Sequence, residues 1–129
     1  MNVNQILPLV ATALIIIVVF LHIFRKPRVI SWIWPLVLSF TLVVYSAYTM
    51  FVEGPFGFWV HHTRDFWGNQ IWFDLLIGIA TAFLVLLDRV KAQKMNPILW
   101  FLLILAGGSI GLLAMVSRLL YLEARKTEK

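Results

Sequence analysis

Long apolar stretches, separated by short polar segments, make up most of this chain. They occupy residues 6–24, 29–52, 70–88 and 97–122. A helix needs about 20 apolar residues to cross a hydrocarbon layer about 30 Å thick, and each stretch is close to that length. We therefore predict a single all-α domain over residues 1–129, folded as an integral membrane four-helix bundle.

The composition also indicates that lipid is the main solvent of this protein. Hydrophobic residues make up 61% of the chain and charged residues 13%, and the mean hydropathy is +0.89. A soluble domain carries about a quarter charged residues. The sequence has no cysteine, which excludes disulfides, thiolate metal sites, iron–sulfur clusters and cysteine nucleophiles.

The distribution of the basic residues argues against a nucleic-acid partner, although the formal net charge is +5. Nine of the eleven Lys and Arg residues fall in three clusters beside apolar stretches: Arg25, Lys26 and Arg28; Arg89, Lys91 and Lys94; Arg125, Lys126 and Lys129. Membrane proteins flank their spans in this way, whereas a nucleic-acid-binding protein needs a continuous basic face. The expected surroundings are a lipid bilayer and other membrane protein subunits.

Orientation follows from the bias of short cytoplasmic loops toward Lys and Arg. The loops RKPR and DRVKAQK together carry six basic residues, whereas the loop between the second and third spans carries only Arg64. This pattern favours an N-out, C-out arrangement with the two basic loops in the cytoplasm. The last segment, LEARKTEK, opposes it with three basic residues of its own.

Polar residues gather in the segment HHTRDFWGNQIWFDLL, residues 61–76. Asp74 falls about one turn inside the third span, and Arg118 about one turn before the end of the fourth. An unpaired charge in hydrocarbon costs at least ~2.5–3.5 kcal/mol, so we predict that these two side chains form an ion pair. Gln70 and Gly78 share the helix face of Asp74, and this stripe is predicted to face the bundle. The pair would either fix helix packing or serve binding or chemistry, and Arg118 could instead extend to the headgroups.

Histidines suggest two further sites. The adjacent pair His61–His62, with Glu53 or Asp65, resembles a metal site, but adjacent side chains point in different directions and no metal is assigned. His22 is the only histidine within a predicted span. It could ligate a chlorophyll-type pigment or a haem, or simply hydrogen-bond to a neighbouring helix.

Aromatic residues are dense around the loop EGPFGFW, which could cover the outer end of the bundle as a lid. A lid above an apolar pocket with a few polar groups is typical of a ligand site, and the same surface would also suit contact with another subunit. The predicted ligand-binding residues are Trp59, Trp67, Gln70, Trp72, Asp74 and Arg118.

Three glycines in the fourth span, Gly107, Gly108 and Gly111, favour close helix approach. Close packing within the bundle is the preferred interpretation. A bend in the helix is an alternative, and so is a homodimer, because Gly107 and Gly111 form a small-xxx-small pattern.

The segments QIWFDLLIG, NPILWFLLILAGGSIGLLA and YLEAR resemble those of small bacterial four-span proteins of unknown function. That group in turn resembles the plant and cyanobacterial proteins of abscisic-acid-deficient type, which are linked to neoxanthin formation. The matching positions are Asp74, Gly108, Ser109, Gly111, Leu112, Leu113, Tyr121 and Arg125. Serine at 109 stands where the better-studied members tend to have proline. The resemblance implies a bacterial inner (plasma) membrane as the location and an apolar isoprenoid or pigment as the ligand.

Three functions are consistent with these features. The preferred ones are an accessory subunit or assembly factor of a larger membrane complex, and a protein that binds a lipid, quinone, carotenoid or pigment at its outer mouth. The alternative is a membrane-embedded enzyme acting on an isoprenoid-type substrate. Asp74 or Glu53 would then be the general acid and His61 or His62 the base, with aromatic faces stabilising a cation.

Overall fold

The structure, a computed structural model, describes residues 2–24 and 30–127. All regular elements within these ranges are α-helices, which confirms the predicted all-α class. They are α1 (Val3–Ile23), α2 (Ile33–Glu53), α3 (Gly57–Thr63), α4 (Phe66–Ala92), α5 (Pro97–Gly107) and α6 (Ser109–Thr127).

Two of these helices, α2 and α4, are long and apolar enough to cross a membrane. They have 21 and 27 residues, with hydropathies of 1.7 and 2.0 over their most apolar windows. Only 11% and 6% of those windows are buried inside the protein, whereas the core helix of a soluble protein would be largely buried. The stretches Gln5–Leu21 of α1 and Pro97–Gly107 of α5 are apolar but shorter.

The predicted fourth span is two helices and not one. α5 ends at Gly107 and α6 begins at Ser109, and between them Gly108 has φ +55° and ψ −125°. Glycine adopts positive φ without the steric cost that a side chain would add. α5 has 11 residues and is therefore about 16 Å long, roughly half the thickness of a hydrocarbon layer. The predicted continuous helix over 97–122 is corrected to a helical hairpin.

Gly111 allows the two helices of this hairpin to pack backbone against backbone. A Cβ atom at Gly111 would lie 2.5 Å from the Leu103 carbonyl oxygen and 2.8 Å from the Ile104 Cα. No side chain fits at these distances. By contrast, a Cβ at Gly107 would make only an ordinary contact, 3.6 Å from the Ile110 Cβ. Of the predicted close-packing glycines, Gly111 is therefore the one at which α6 contacts the backbone of α5.

A small apolar core joins the hairpin to the second half of α4. Its buried members are Phe83, Val90, Met95, Ile104, Met115 and Leu119. Val90, Met115 and Leu119 are fully buried. Because these residues come from α4, α5, α6 and the α4–α5 turn, the second half of α4 and the hairpin form one packed unit.

Two buried serines fix α2 against α6. The Ser39 hydroxyl donates to the Ile110 carbonyl oxygen at 3.0 Å, and the Ser117 hydroxyl donates to the Trp32 carbonyl oxygen at 2.8 Å. The two hydrogen bonds are seven residues apart along each helix and occur in opposite order, so α2 and α6 are antiparallel. A hydrogen bond of this kind contributes about 0.5–1.5 kcal/mol to stability.

The end of α6 lies beside the end of α4. Arg89 of α4 donates to both carboxylate oxygens of Glu123 on α6, at 3.0 and 2.6 Å. The predicted N-out, C-out arrangement put the last segment at the opposite end of the bundle from the loop after α4, whereas the structure places the two at the same end. Because α6 runs from the hairpin tip toward the end of α4, the basic residues at the end of α6 lie at the same end of the molecule as those of α4. We call this the basic end, defined by Arg89, Lys91, Lys94, Arg125 and Lys126.

At the opposite end, α2 and α4 extend beyond the hairpin. Ser39 lies level with Ile110. Ile79 lies level with Gly108, since a Cβ atom at Gly108 would be 3.8 Å from the Ile79 Cδ1. Residues 40–53 and 66–78 therefore continue for about 20 Å past the hairpin tip. We call residues 57–73, which include α3, the aromatic end. The apolar side chains of these extensions are almost all exposed, as are all the described side chains of α1.

Gly111→Ala is expected to lower the free energy of unfolding by about 1–3 kcal/mol, because the added methyl group can fit only if the α5 backbone moves. Gly78→Ala is the matched control, since a Cβ at Gly78 meets nothing within 4 Å. That change should be neutral or stabilising by up to about 1 kcal/mol. Thermal unfolding in detergent measures both variants, and equal stabilities would contradict the close packing.

Candidate functional site

A tight corner joins α3 to α4 at the aromatic end. The Asp65 carboxylate caps α4 by accepting from the Gly68 N–H at 2.8 Å, and Asn69 Nδ2 donates to the Asp65 carbonyl oxygen at 3.0 Å. A Cβ at Gly68 would lie 2.6 Å from the His61 carbonyl oxygen. Asp65 therefore serves as a helix cap, and Gly68 lets α3 pack directly on the start of α4. The segment EGPFGFW overlaps only the first three residues of this short helix, and its role as a lid stays a prediction.

The structure brings together one of the predicted acid–base pairs. His61 Nε2 lies 3.4 Å from Glu53 Oε2, across the turn between α2 and α3. Their side chains are 61% and 49% exposed, so water screens the pair and its contribution to stability is small. The arrangement has the geometry of a carboxylate that orients an imidazole.

His62 belongs to an aromatic cluster and not to the ion pair. Its Nδ1 lies 2.6 Å from the Phe58 carbonyl oxygen. A carbonyl oxygen only accepts, so Nδ1 carries the proton and Nε2 is left as the basic nitrogen of the neutral ring. The His62 ring lies 5.1 Å from that of Trp72, and Phe58 lies 6.0 Å from Trp72 on centroid distances. Trp59 and Trp67 are 57% and 74% exposed and face the surroundings.

Asp74 and Arg118 do not form the predicted ion pair. Asp74 is five residues before Ile79, beyond the hairpin tip, while Arg118 is ten residues after Gly108 toward the basic end. At 1.5 Å per residue the two side chains are about 22 Å apart along the helix axes. The prediction failed because it required a continuous fourth span that would carry Arg118 to the level of Asp74.

Asp74 is exposed, and no ion pair within the described residues reaches it. Gln70 and Gly78, on the same face of α4, are exposed as well. The predicted orientation of this stripe toward the bundle is therefore corrected. The stripe of Gln70, Asp74 and Gly78 faces away from the protein's own helices, because the hairpin that packs against α4 begins only at the level of Ile79.

At the basic end, Tyr121 collects cationic and aromatic neighbours. The guanidinium carbons of Arg118 and Arg125 lie 5.7 and 5.5 Å from its ring centroid. Trp32 meets the same ring edge-on at 5.4 Å. The spacings of three and four residues on α6 place both arginines beside the tyrosine, and cation–π attraction favours the contacts. The spacing of Arg118, Tyr121 and Arg125 in the sequence is enough to predict that both arginines contact the tyrosine, although we did not predict it. The contacts of Trp32 with Tyr121, of Ser117 with Trp32 and of Glu123 with Arg89 depend on the hairpin and could not be read from spacing.

Metal and pigment sites are limited by what the structure describes. Within the described residues, no group of three or more His, Asp or Glu side chains is placed to hold a metal ion. The side chain of His22 lies outside the described residues, so its ligation of a pigment stays a prediction.

No protein-family model matches this chain, and no curated protein or solved structure matches it. The resemblance to the abscisic-acid-deficient-type proteins stays a prediction.

Gly68→Ala is expected to displace α3 from α4, because the added Cβ meets the backbone of His61. Hydrogen exchange of the amides in residues 57–63 should then become faster, while exchange in the hairpin stays unchanged. Gly78→Ala, made on the same helix, should leave both regions unchanged. Unaltered exchange in α3 would show that the corner does not hold this helix in place.

Proposed function

We propose that this protein is a small integral membrane accessory subunit, and that it docks to another transmembrane helix through the stripe of Gln70, Asp74 and Gly78. The observation that carries the proposal is Asp74, an exposed carboxylate in an apolar helix that forms no ion pair with any residue the structure describes. The proposal has two steps, which are the placement of the chain in the membrane and the need for a partner at Asp74.

In the proposed placement, α2 and α4 span the membrane and the α5–α6 hairpin enters it from the basic end and returns. Backbone in hydrocarbon must have its hydrogen bonds satisfied within the protein. Gly108, the residue at the break, meets this condition, since its N–H donates to the Ile104 carbonyl oxygen at 2.6 Å and its carbonyl oxygen accepts from the Leu112 N–H at 3.2 Å. The basic end then lies in the cytoplasm, which agrees with the positive-inside bias for every basic cluster that the structure describes.

Asp74 then requires a neighbour from outside the chain. It lies in the apolar stretch 71–87 of α4, where a carboxylate facing lipid is costly. Its short side chain extends far less toward the headgroups than a lysine or arginine would. A partner helix with a Lys, Arg or hydrogen-bond donor at this depth would satisfy it.

The rest of the stripe suits a helix partner. A Cβ at Gly78 meets nothing within 4 Å, so a second helix can approach the α4 backbone closely at this position. Gln70 adds donors and an acceptor one turn from Asp74. Apolar side chains flank the stripe on both sides and would form the rim of the contact. Two of them, Ile71 and Ile77, are 58% and 66% exposed.

Binding of an apolar ligand is the second candidate function, and the aromatic cluster of Phe58, His62 and Trp72 favours it. The cluster supplies flat apolar surface and one basic imidazole nitrogen at the aromatic end. The family resemblance would make this ligand an isoprenoid, carotenoid, quinone or other pigment. An enzyme acting on such a molecule remains the alternative, with the His61–Glu53 contact as its acid–base pair.

Asp74→Asn is expected to reduce recovery of a stoichiometric protein partner in a gentle native pull-down by about ten-fold, the equivalent of 1.4 kcal/mol. Gly78→Leu should have a similar effect by blocking close approach. Asp88→Asn, the same chemical change at an exposed position near the basic end of α4, is the matched control and should leave recovery unchanged. Native mass spectrometry identifies the partner and its stoichiometry.

The stability of the isolated protein separates docking from an internal structural role. If Asp74 serves a partner, Asp74→Asn should leave thermal stability in detergent unchanged or slightly raised, because it removes an unpaired charge. Loss of stability without loss of partner recovery would contradict the proposal. A protein that purifies alone but with a bound pigment or lipid would favour the second function.

A further inference from the structure

We infer that the basic end carries a binding site for a phosphate group, in the cavity between the α4–α5 turn and the end of α6. The cavity has a volume of about 490 Å³ and is lined by Gln93, Lys94, Leu122, Arg125 and Lys126. This inference goes beyond the docking proposal and uses none of the residues of the stripe.

The chemistry of the lining fits an anion. Three of the five lining side chains are cationic and the fourth, Gln93, has an amide donor, and none of the five is acidic. Glu123 on the neighbouring turn of α6 has its carboxylate engaged by Arg89 in a two-point contact. The helix C-termini at this end bring only about half a negative charge each. Three full positive charges therefore dominate the cavity.

Lys94 is held at the cavity in a backbone conformation that lysine rarely adopts. Its φ is +56°, in the position after a helix where glycine is usual. The turn is fixed on both sides, since the Lys94 N–H donates to the Lys91 carbonyl at 2.9 Å and the Met95 N–H donates to the Val90 carbonyl at 3.1 Å. Glycine would be cheaper for folding, and a cation required at this point accounts for the lysine.

Arg125 is positioned beside the cavity through its ring contact. Its guanidinium carbon lies 5.5 Å from the Tyr121 centroid, a contact that leaves the N–H donors of the guanidinium plane for a ligand. These donors match the oxygen spacing of a phosphate and can bind it in a bidentate manner. Lys94 and Lys126 then add point charges around the same anion.

The position of the cavity indicates where the phosphate comes from. In the proposed membrane placement the basic end lies at the cytoplasmic headgroup layer, where anionic phospholipids present their phosphates. Leu122 adds an apolar contact to the lining, which suits the glycerol and first acyl carbons of a lipid. A free phosphate or a soluble phosphorylated molecule would meet the same cations, so the experiment separates these two sources.

The test measures binding of phosphatidylglycerol to the full chain in neutral detergent by native mass spectrometry, with phosphatidylcholine as the zwitterionic comparison and inorganic phosphate as competitor. Lys94→Gly and Arg125→Gln should each weaken phosphatidylglycerol binding by about ten-fold or more, the loss expected for a charged hydrogen bond. Lys91→Gln removes an exposed lysine that does not line the cavity and should change binding by less than about two-fold, because solvent and salt screen it.

Lys94→Gly keeps the test independent of folding. Glycine at position 94 removes the steric strain of the positive φ, so the variant should unfold at the same temperature as the natural protein or at a higher one. Displacement of the lipid by millimolar phosphate would support the site with a free phosphate as its ligand, and resistance to phosphate would support a lipid. Equal loss in Lys94→Gly and Lys91→Gln, or phosphatidylglycerol binding that neither Lys94→Gly nor Arg125→Gln weakens, would overturn the inference. Neither result depends on whether a partner docks at Asp74.

Discussion

The contact of Gly111 with the backbone of Leu103 and Ile104 is the constraint on which the rest of the structure depends. It exists because the chain reverses at Gly108, where positive φ ends one helix and starts the next. The reversal places Met115 and Leu119 against Val90, and Glu123 against Arg89. It also presents the Ile110 carbonyl to Ser39. Without the hairpin, neither the core nor the α2–α6 register would form.

The hairpin divides the molecule into two unequal parts. Toward the basic end, α4, α5 and α6 bury a common core, and α2 packs against α6 through the hydrogen bonds of Ser39 and Ser117. Beyond the hairpin tip, α2 and α4 continue without a helix between them, and their side chains remain exposed. Asp74 lies in this second part, where none of the residues that the structure describes forms an ion pair with it. The same asymmetry supports a protein partner at one end and an anion at the other. The part beyond the hairpin tip exposes the carboxylate of Asp74, whereas the basic end exposes the cations of Lys94, Arg125 and Lys126.

Hydropathy was sufficient to predict the helical class and the helices at 29–52 and 70–88, which the structure places at Ile33–Glu53 and Phe66–Ala92. It was not sufficient for residues 97–122, because one continuous helix and a hairpin of two shorter helices have the same composition. The sequence features that could have indicated the hairpin were the three glycines at 107, 108 and 111 and the basic residues of the last segment. The pairing of Asp74 with Arg118 failed with the continuous helix, whereas the contact of His61 with Glu53 and the stacking of Arg118 and Arg125 on Tyr121 rest on short-range spacing and could be predicted.

Cysteine accessibility tests the hairpin most directly, because the sequence contains no cysteine of its own. Single cysteines at Arg64, Lys91 and Lys126 would be labelled with a membrane-impermeant maleimide in sealed vesicles of known orientation. The account predicts that positions 91 and 126 react from the same side of the membrane and position 64 from the other. Labelling of positions 64 and 126 from the same side would mean that residues 97–122 cross the membrane as one helix, and would contradict it.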